Sequence, residues 1–166
     1  MLEKQTKFHH SVTELGNIQV RQVTKYVEDD GKIKGKKYGQ PYTPKNPEIM
    51  DGFDDRSKEI VAAIIAPAIK AEFEAEKQTP TGIGLEEIVT HDRVIEEDGK
   101  IAVRRITRIF DAGVEVSKKY HRSWIMPGDD PTKHDVISKA LVMALHTPEV
   151  ITAYNDAISV DLKVKE

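Results

Sequence analysis

Apolar residues spread through residues 6–13 and 88–96, with polar residues between them, mark two predicted first strands. Each runs into a tight turn, Leu15-Gly16-Asn17 in one case and Asp98-Gly99 in the other. Glycine accepts the positive φ that such turns need, so each turn is expected to fold the next strand back as a hairpin. These second strands span 18–27 and 101–110 and are rich in Val, Ile, Thr and aromatics. In the later one the apolar phase changes side: Ile101 and Val103 share one face, Ile106 and Phe110 the other. A bulge or strong twist near Arg104-Arg105 would reconcile the phases, because a one-residue slip flips every later side chain. Third strands follow further glycine turns and are expected to reach Tyr42 and Ile125.

The period then lengthens. Past loops rich in Pro, Gly and Asp (43–55 and 126–130), Ile60, Ile64, Pro67 and Ala71 fall three or four apart, and Ile137, Leu141, Ala144 and Leu145 do much the same. That spacing puts one apolar stripe on a helix. Pro131 behind Asp130 reads as a first helical residue behind its cap. Pro67 and Pro148 are expected to break or kink their helices, with a restart through 150–154. The tail alternates Ile158, Val160, Leu162 and Val164 with polar residues, which predicts a C-terminal strand that completes the sheet or adds to a neighbouring subunit.

The two strand-rich segments match residue by residue. Gly16-Asn-Ile-Gln-Val-Arg-Gln-Val-Thr24 lies over Gly99-Lys-Ile-Ala-Val-Arg-Arg-Ile-Thr107. Lys36-Lys37-Tyr38 lies over Lys118-Lys119-Tyr120, and Ser57-Lys58 over Ser138-Lys139, with Pro67 on Pro148 and Phe73 on Tyr154. The blocks keep their order and slip only at turns, so tandem duplication is the expected origin. The predicted fold is α+β: two β-β-β-α repeats of antiparallel hairpin strands at 1–76 and 85–157, a linker at 77–84, and a C-terminal strand at 158–166. Whether the repeats share one sheet or form two lobes is not legible.

Composition narrows the function classes. Hydrophobic residues make 39% and charged residues 32%, a globular balance. The net charge of −3 argues against a general polyanion binder. Zero cysteines removes disulfides, thiolate metal sites and thiol nucleophiles together. Charges at Glu3, Lys4 and Lys7 break the apolar run a signal peptide would need, and the 60–69 stretch is too short to span a bilayer, so no membrane association is expected.

Candidate chemistry is sparse. None of the six histidines forms a His-x-x-x-His pair, and His9 and His10 would point to opposite faces of a strand, so no metal site is expected. Asp54-Asp55 and Asp129-Asp130 precede the helices, where aspartate caps free N–H groups. Ser57 and Ser138 lack a nucleophile-elbow context, and Gly82 and Gly84 start no phosphate-binding loop. No catalytic residue and no cofactor is therefore assigned, and a non-enzymatic role is expected. The basic residues are a stronger candidate. Arg21, Lys25, Lys36, Lys37 and Tyr38 correspond to Arg104, Arg108, Lys118, Lys119 and Tyr120, with Arg105, His121, Arg122 and Trp124 added in the second set. If strands two and three pair, these cations and aromatics share neighbouring strands and form a binding face for a nucleotide, a nucleic-acid strand or an acidic protein. The bland alternative is the solvated face of a half-buried sheet.

One stretch has a recognisable pattern. Lys119-Tyr120-His121-Arg122, Pro127-Gly128-Asp129-Asp130, Thr147-Pro148-Glu149-Val150 and Ala153-Tyr154 resemble small uncharacterised proteins of tailed bacteriophages. The likeness covers roughly 99–154, and the first copy departs from it at Gly39-Gln40. The resemblance implies a viral origin and brings no catalytic residues. The expected function is a virion- or tail-associated structural or accessory protein that works through protein contacts, located in the virion or the host cytoplasm and expected to form a homo-oligomer. The competing expectation is a host-directed accessory binder, an anti-defence inhibitor or a sponge for a nucleotide or acidic ligand, using the Arg/Lys/Tyr face.

Overall fold

The computed structural model describes residues 2–40, 42 and 47–163, with the side chains of 47–48 and 160–163 left aside. Six strands form one antiparallel sheet: β1 (Leu2–Val12), β2 (Ile18–Glu28), β3 (Ile33–Tyr38), β4 (Leu85–Ile95), β5 (Ile101–Asp111) and β6 (Val114–Ile125). Four α-helices accompany them, α1 (Asp55–Ile65), α2 (Pro67–Glu76), α3 (Val136–Leu145) and α4 (Pro148–Lys163). The α+β class therefore holds. Strand order is β3-β2-β1-β4-β5-β6, two meanders joined back to back. The join is short, since β1 meets β4 through His10↔Ile95, Ser11↔Val94 and Val12↔Arg93 alone. It settles what the sequence left open: the strands of both halves belong to one sheet.

One face of that sheet is the core. Val12, Ile18, Val20, Ile95, Ile101 and Val103 pack against Ile60 and Ile64 of α1 and Ile137 and Leu141 of α3, all buried. Each such side chain contributes about 1.5–3 kcal/mol by leaving water. The stripe expected to continue through Pro67 and Ala71 ends at Ile64, because the helix breaks at Ala66 and α2 buries no residue. Pro67 is the first residue of α2 and Pro148 of α4, where a missing N–H costs nothing. No single helix among the described residues is long and apolar enough to cross a membrane.

Four expectations need correction. No bulge sits at Arg104-Arg105: the β5–β6 register runs unbroken from Ile101 to Ile109 and shifts only between Ile109 and Phe110. The phase change has another cause. Ile106 is 3% exposed on the face away from the helices, where Val23, Val27 and Ile88 are also buried. Both faces of the sheet are partly apolar there, so no slip is required. Second, β3 stops at Tyr38, and Tyr42 rejoins the sheet as an isolated bridge to Val20. Third, Pro131–Lys133 is a single 3-10 turn, with Asp130 accepting from the Thr132 N–H; α3 starts later, capped by Asp135. Fourth, the predicted C-terminal strand is helix α4 as far as Lys163, and residues 164–166 lie outside the described residues. A helix nucleated at Pro148 with Val150, Ile151, Tyr154 and Ile158 on its apolar side extends at little cost per residue, and that overrides a weak alternation.

The hairpin glycines do more than turn the chain. Gly99 has φ +89°, and a Cβ there would lie 2.7 Å from Val150 Cγ1. Gly16, at φ +73°, would meet the Phe73 ring at 2.8 Å. Each turn is thus wedged beneath the second helix of its half. Gly31 has φ +82° but nothing within 4 Å. Gly99→Ala is expected to lose about 2–3 kcal/mol, strain plus overpacking, against about 1 kcal/mol for Gly31→Ala, compared by urea unfolding. Equal losses would mean that the contact with α4 is slack.

Candidate functional site

The face of β4–β6 turned away from the helices carries a shallow groove of about 690 Å3. Alternation decides what lines it. In the β5–β6 register Arg104 pairs with Arg122, Ile106 with Tyr120, Arg108 with Lys118 and Ala102 with Trp124, and these pairs share the groove face. Asp92 faces Arg104 from β4, and Glu14 reaches in from the loop after β1. Tyr120 is bracketed by two cations, with the Arg104 guanidinium 5.2 Å and the Lys118 ammonium 5.5 Å from its ring centre. Lys100 stands 5.6 Å over Trp124, which is half exposed. Contacts of this kind contribute about 0.5–1 kcal/mol each at exposed positions and hold the rings in place.

The cations are not equally free. Arg104 forms a two-pronged ion pair with Asp92, and that carboxylate raises the guanidinium's pKa. Arg108 is 2.6 Å from Glu14 and 3.3 Å from Glu115, and it donates to Thr90 Oγ1 at 2.8 Å. Thr90 in turn donates to Glu14. Burial alone would raise the Glu14 carboxyl; the bonds from Arg108 and Thr90 overcome it and leave it below its usual value. Arg104 and Arg108 are therefore cross-strand ties, and Glu14 links the first half to the second. Among the described residues, Lys118, Lys119 and Arg122 have no ion-pair partner.

The sequence-predicted residues divide three ways. Arg104, Arg108, Lys118, Tyr120, Arg122 and Trp124 line the groove. Arg105, Lys119 and His121 alternate to the other face of the same strands, with Arg105 3.9 Å from Glu87. The first-half set, Arg21, Lys25, Lys36, Lys37 and Tyr38, occupies β2 and β3, on the far side of β1 and β4, and none of it lines the groove. The two basic sets do not meet. Sequence reasoning missed Asp92 and Glu14. Asp92 was within reach, because closing the Asp98-Gly99 hairpin with Ile95 against Ile101 puts it opposite Arg104.

A second polar feature sits under the helices. His10 on β1 and Arg93 on β4 stand at the same distance before Gly16 and Gly99, and both point into the core at 5% and 3% exposure. His10 Nε2 lies 2.8 Å from Ser57 Oγ, while the Ser57 N–H donates to Asp54 Oδ1 at 2.8 Å. Arg93 Nε donates to Ser138 Oγ at 2.8 Å, Ser138 Oγ donates to Asp135 Oδ2 at 2.7 Å, and Arg93 also pairs directly with Asp135. Both bridges fasten the first turn of a core helix to a central strand. Ser57 is fully buried, and Asp54 accepts from its backbone rather than orienting His10, so this trio is a tie and lacks the relay a nucleophile needs. Burial, then the nearby Arg56 charge, lowers the His10 pKa to about 4, so its imidazole is neutral. Of the acidic pairs, Asp54 caps α1, Asp130 the 3-10 turn, and Asp129 accepts from the Met126 N–H. Among the described residues no group of three or more His, Asp or Glu side chains could hold a metal ion.

No family model, curated protein or solved structure matches the chain. Its function is therefore read from the geometry.

Proposed function

We propose that the chain is a non-catalytic bacteriophage accessory or virion-associated protein that works by contact with another protein, and that the groove face of β4–β6 is the contact surface. The observation that carries this reading is the pair Lys118 and Arg122, without ion-pair partners among the described residues and on either side of Tyr120, with Trp124 beside them and an open groove behind. Exposed aromatics flanked by cations supply contact area at low entropic cost, together with a preference for an acidic partner. The viral setting is supported by the Tyr-His-Arg, Pro-Gly-Asp-Asp and Thr-Pro-Glu-Val pattern. The setting is the virion or the host cytoplasm. The competing role, a host-directed sponge for a nucleotide or acidic ligand, would use the same face.

The reading also takes the chain as a tandem duplication whose second half kept the contact surface. The order of elements supports this, as do the matched bridges His10–Ser57–Asp54 and Arg93–Ser138–Asp135.

Two measurements test the proposal. Mass spectrometry of purified virions should find the chain, and its absence removes the virion version. Lys118→Glu combined with Arg122→Glu should weaken binding to immobilised polyglutamate by about tenfold or more, with no change in melting temperature. Arg104 and Arg108 are unsuitable for this test, since reversing them breaks ion pairs that tie strands together. Undiminished binding by the double variant would remove the groove face from consideration. Selective binding of polyuridylate over polyglutamate would favour the sponge.

A further inference from the structure

Strand β6 is an edge, and it is the less protected of the two edges. It runs for 12 residues, and its residues are exposed except Ser117 and Ile125. From Ser117 to Ile125 its register with β5 is regular, so the outward backbone N–H and C=O groups form an even row. The opposite edge is half as long: β3 has 6 residues, and both edges carry lysines and one register shift, at Tyr26/Val27 for β3 and at Ile109/Phe110 for β6, so length is what separates them. Nothing among the described residues covers the outer side of β6.

We infer that β6 is a strand-addition site for an extended acidic peptide segment of a partner protein, which pairs with its outer backbone and meets Lys118, Lys119 and Arg122 across the new ladder. The inference rests on the reading of the groove face as the contact surface and names the partner's chemistry. Side chains directly opposite in an added strand lie about 4.5–5.5 Å apart, so the β6 sequence dictates what the guest carries. On the groove face the order is Lys118, Tyr120, Arg122, Trp124, which calls for acid, apolar, acid, apolar at every second guest position. On the other face Lys119 calls for a further acid and His121 and Ser123 for polar residues.

Charge selects this guest over the alternatives. A second copy adding through its own β6 would set one Lys/Arg row against another, a like-charge pairing that opposes association. A phosphate backbone laid in the groove would pass Asp92, Glu14 and Glu96, and the chain's net charge is −3. A peptide on the outer edge meets the unpaired cations and avoids those carboxylates.

The experiment uses a blocked peptide of repeating Glu-Thr-Val-Thr, the same peptide N-methylated across its central residues, and inorganic polyphosphate. Binding is read by the fluorescence of Trp124, the chain's single tryptophan, and by hydrogen exchange of the β6 amides. The expected result is that the plain peptide binds, slows exchange along β6 and leaves β3 unchanged. The N-methylated peptide keeps every charge but cannot complete the ladder, and should bind at least about tenfold more weakly. Lys118→Glu with Arg122→Glu should abolish binding of the plain peptide. Equal binding of the two peptides would overturn strand addition while leaving the groove face as a charged contact surface. Polyphosphate binding without peptide binding would overturn it in favour of a polyanion. If neither peptide nor polyphosphate binds, both the strand addition and the groove reading fall. Protection of β6 already present in the free protein, as a concentration-dependent dimer, would show that a second copy occupies the edge.

Discussion

Asp135→Ala should cost about 3–5 kcal/mol, whereas Asp54→Ala, at the corresponding cap of α1, should cost about 1 kcal/mol. Both aspartates accept from the backbone of the serine three residues on, so the capping contribution is common to the two. They differ in what lies beneath. His10 is neutral and asks for a hydrogen-bond partner, which Ser57 supplies. Arg93 has a side chain only 2% exposed, and its charge is balanced by Asp135. Burial lowers the guanidinium's pKa, Asp135 counters part of that, and the group stays charged. Burial would likewise raise the Asp135 carboxyl, and Arg93 with the Ser138 donors holds it below its usual value. Removing Asp135 leaves a buried cation hydrogen-bonded to the Ser138 hydroxyl and the His91 carbonyl, with the weaker field of Asp92 to offset its charge. Against a total stability of about 5–15 kcal/mol that loss is large. Urea unfolding of the two single variants checks the contrast. The combination of Arg93→Met with Asp135→Asn, which removes both charges at similar volume, should recover much of the loss. Equal effects at Asp54 and Asp135 would mean that the Arg93 charge is solvated through a path absent from this structure.

The same pair of bridges shows what local sequence can convey. Strand pairs closed by Gly16 and Gly99 and the cap before Ser57 depend on neighbours a few residues away, so periodicity and turn chemistry expose them. The cap before Ser138 is hidden by the Asp130-Pro131 signal, which starts only a 3-10 turn, while Asp135 caps α3. The β1–β4 join depends on three residue pairs far apart in sequence, and no local pattern marks it. The groove repeats the lesson. Asp92 opposite Arg104 follows from hairpin register, but Glu14 against Arg108 requires that join, because it crosses between halves. Basic residues on one face of neighbouring strands therefore end in different states: Arg104 and Arg108 have carboxylate partners, while among the described residues Lys118 and Arg122 have no ion-pair partner. Tail alternation misled for the converse reason. A period of two is weak evidence when a capped helix already runs into it, and the strand expected at 158–166 gave way to α4 as far as Lys163.

The neutral state of His10 makes stability fall in mild acid. Its pKa is about 4 in the folded chain against an ordinary 6.5, so between these values the unfolded chain takes up a proton that the folded chain refuses. Above pH 6.5 both states are neutral and nothing changes. Below it the unfolded state gains, by about 2 kcal/mol at pH 5 and about 3 kcal/mol at pH 4, after which this contribution is flat. The local charges set the balance: Arg56 and His9 disfavour the imidazolium, Asp54 favours it, and burial outweighs all three. Burial also lowers His91 and His146, the latter with Nε2 3.0 Å from the Gly99 carbonyl and Nδ1 buried without a partner, so both steepen the same window. The lowered carboxyls of Glu14 and Asp135 act in the opposite sense of charge. Their contribution is intact above ordinary carboxylate values and disappears only as pH falls through their own lower ones. Two separable acid steps follow, histidines first and carboxylates below. Urea midpoints at pH 7, 5 and 4 should fall in the wild type, and His10→Gln, which keeps a partner for Ser57 without a titrating ring, should flatten the loss between pH 7 and 5. A wild-type midpoint unchanged over that interval, or a His10→Gln profile parallel to it, would show that the imidazole can take its proton in the folded state, and the β1–α1 bridge would then be an open contact rather than a sealed one.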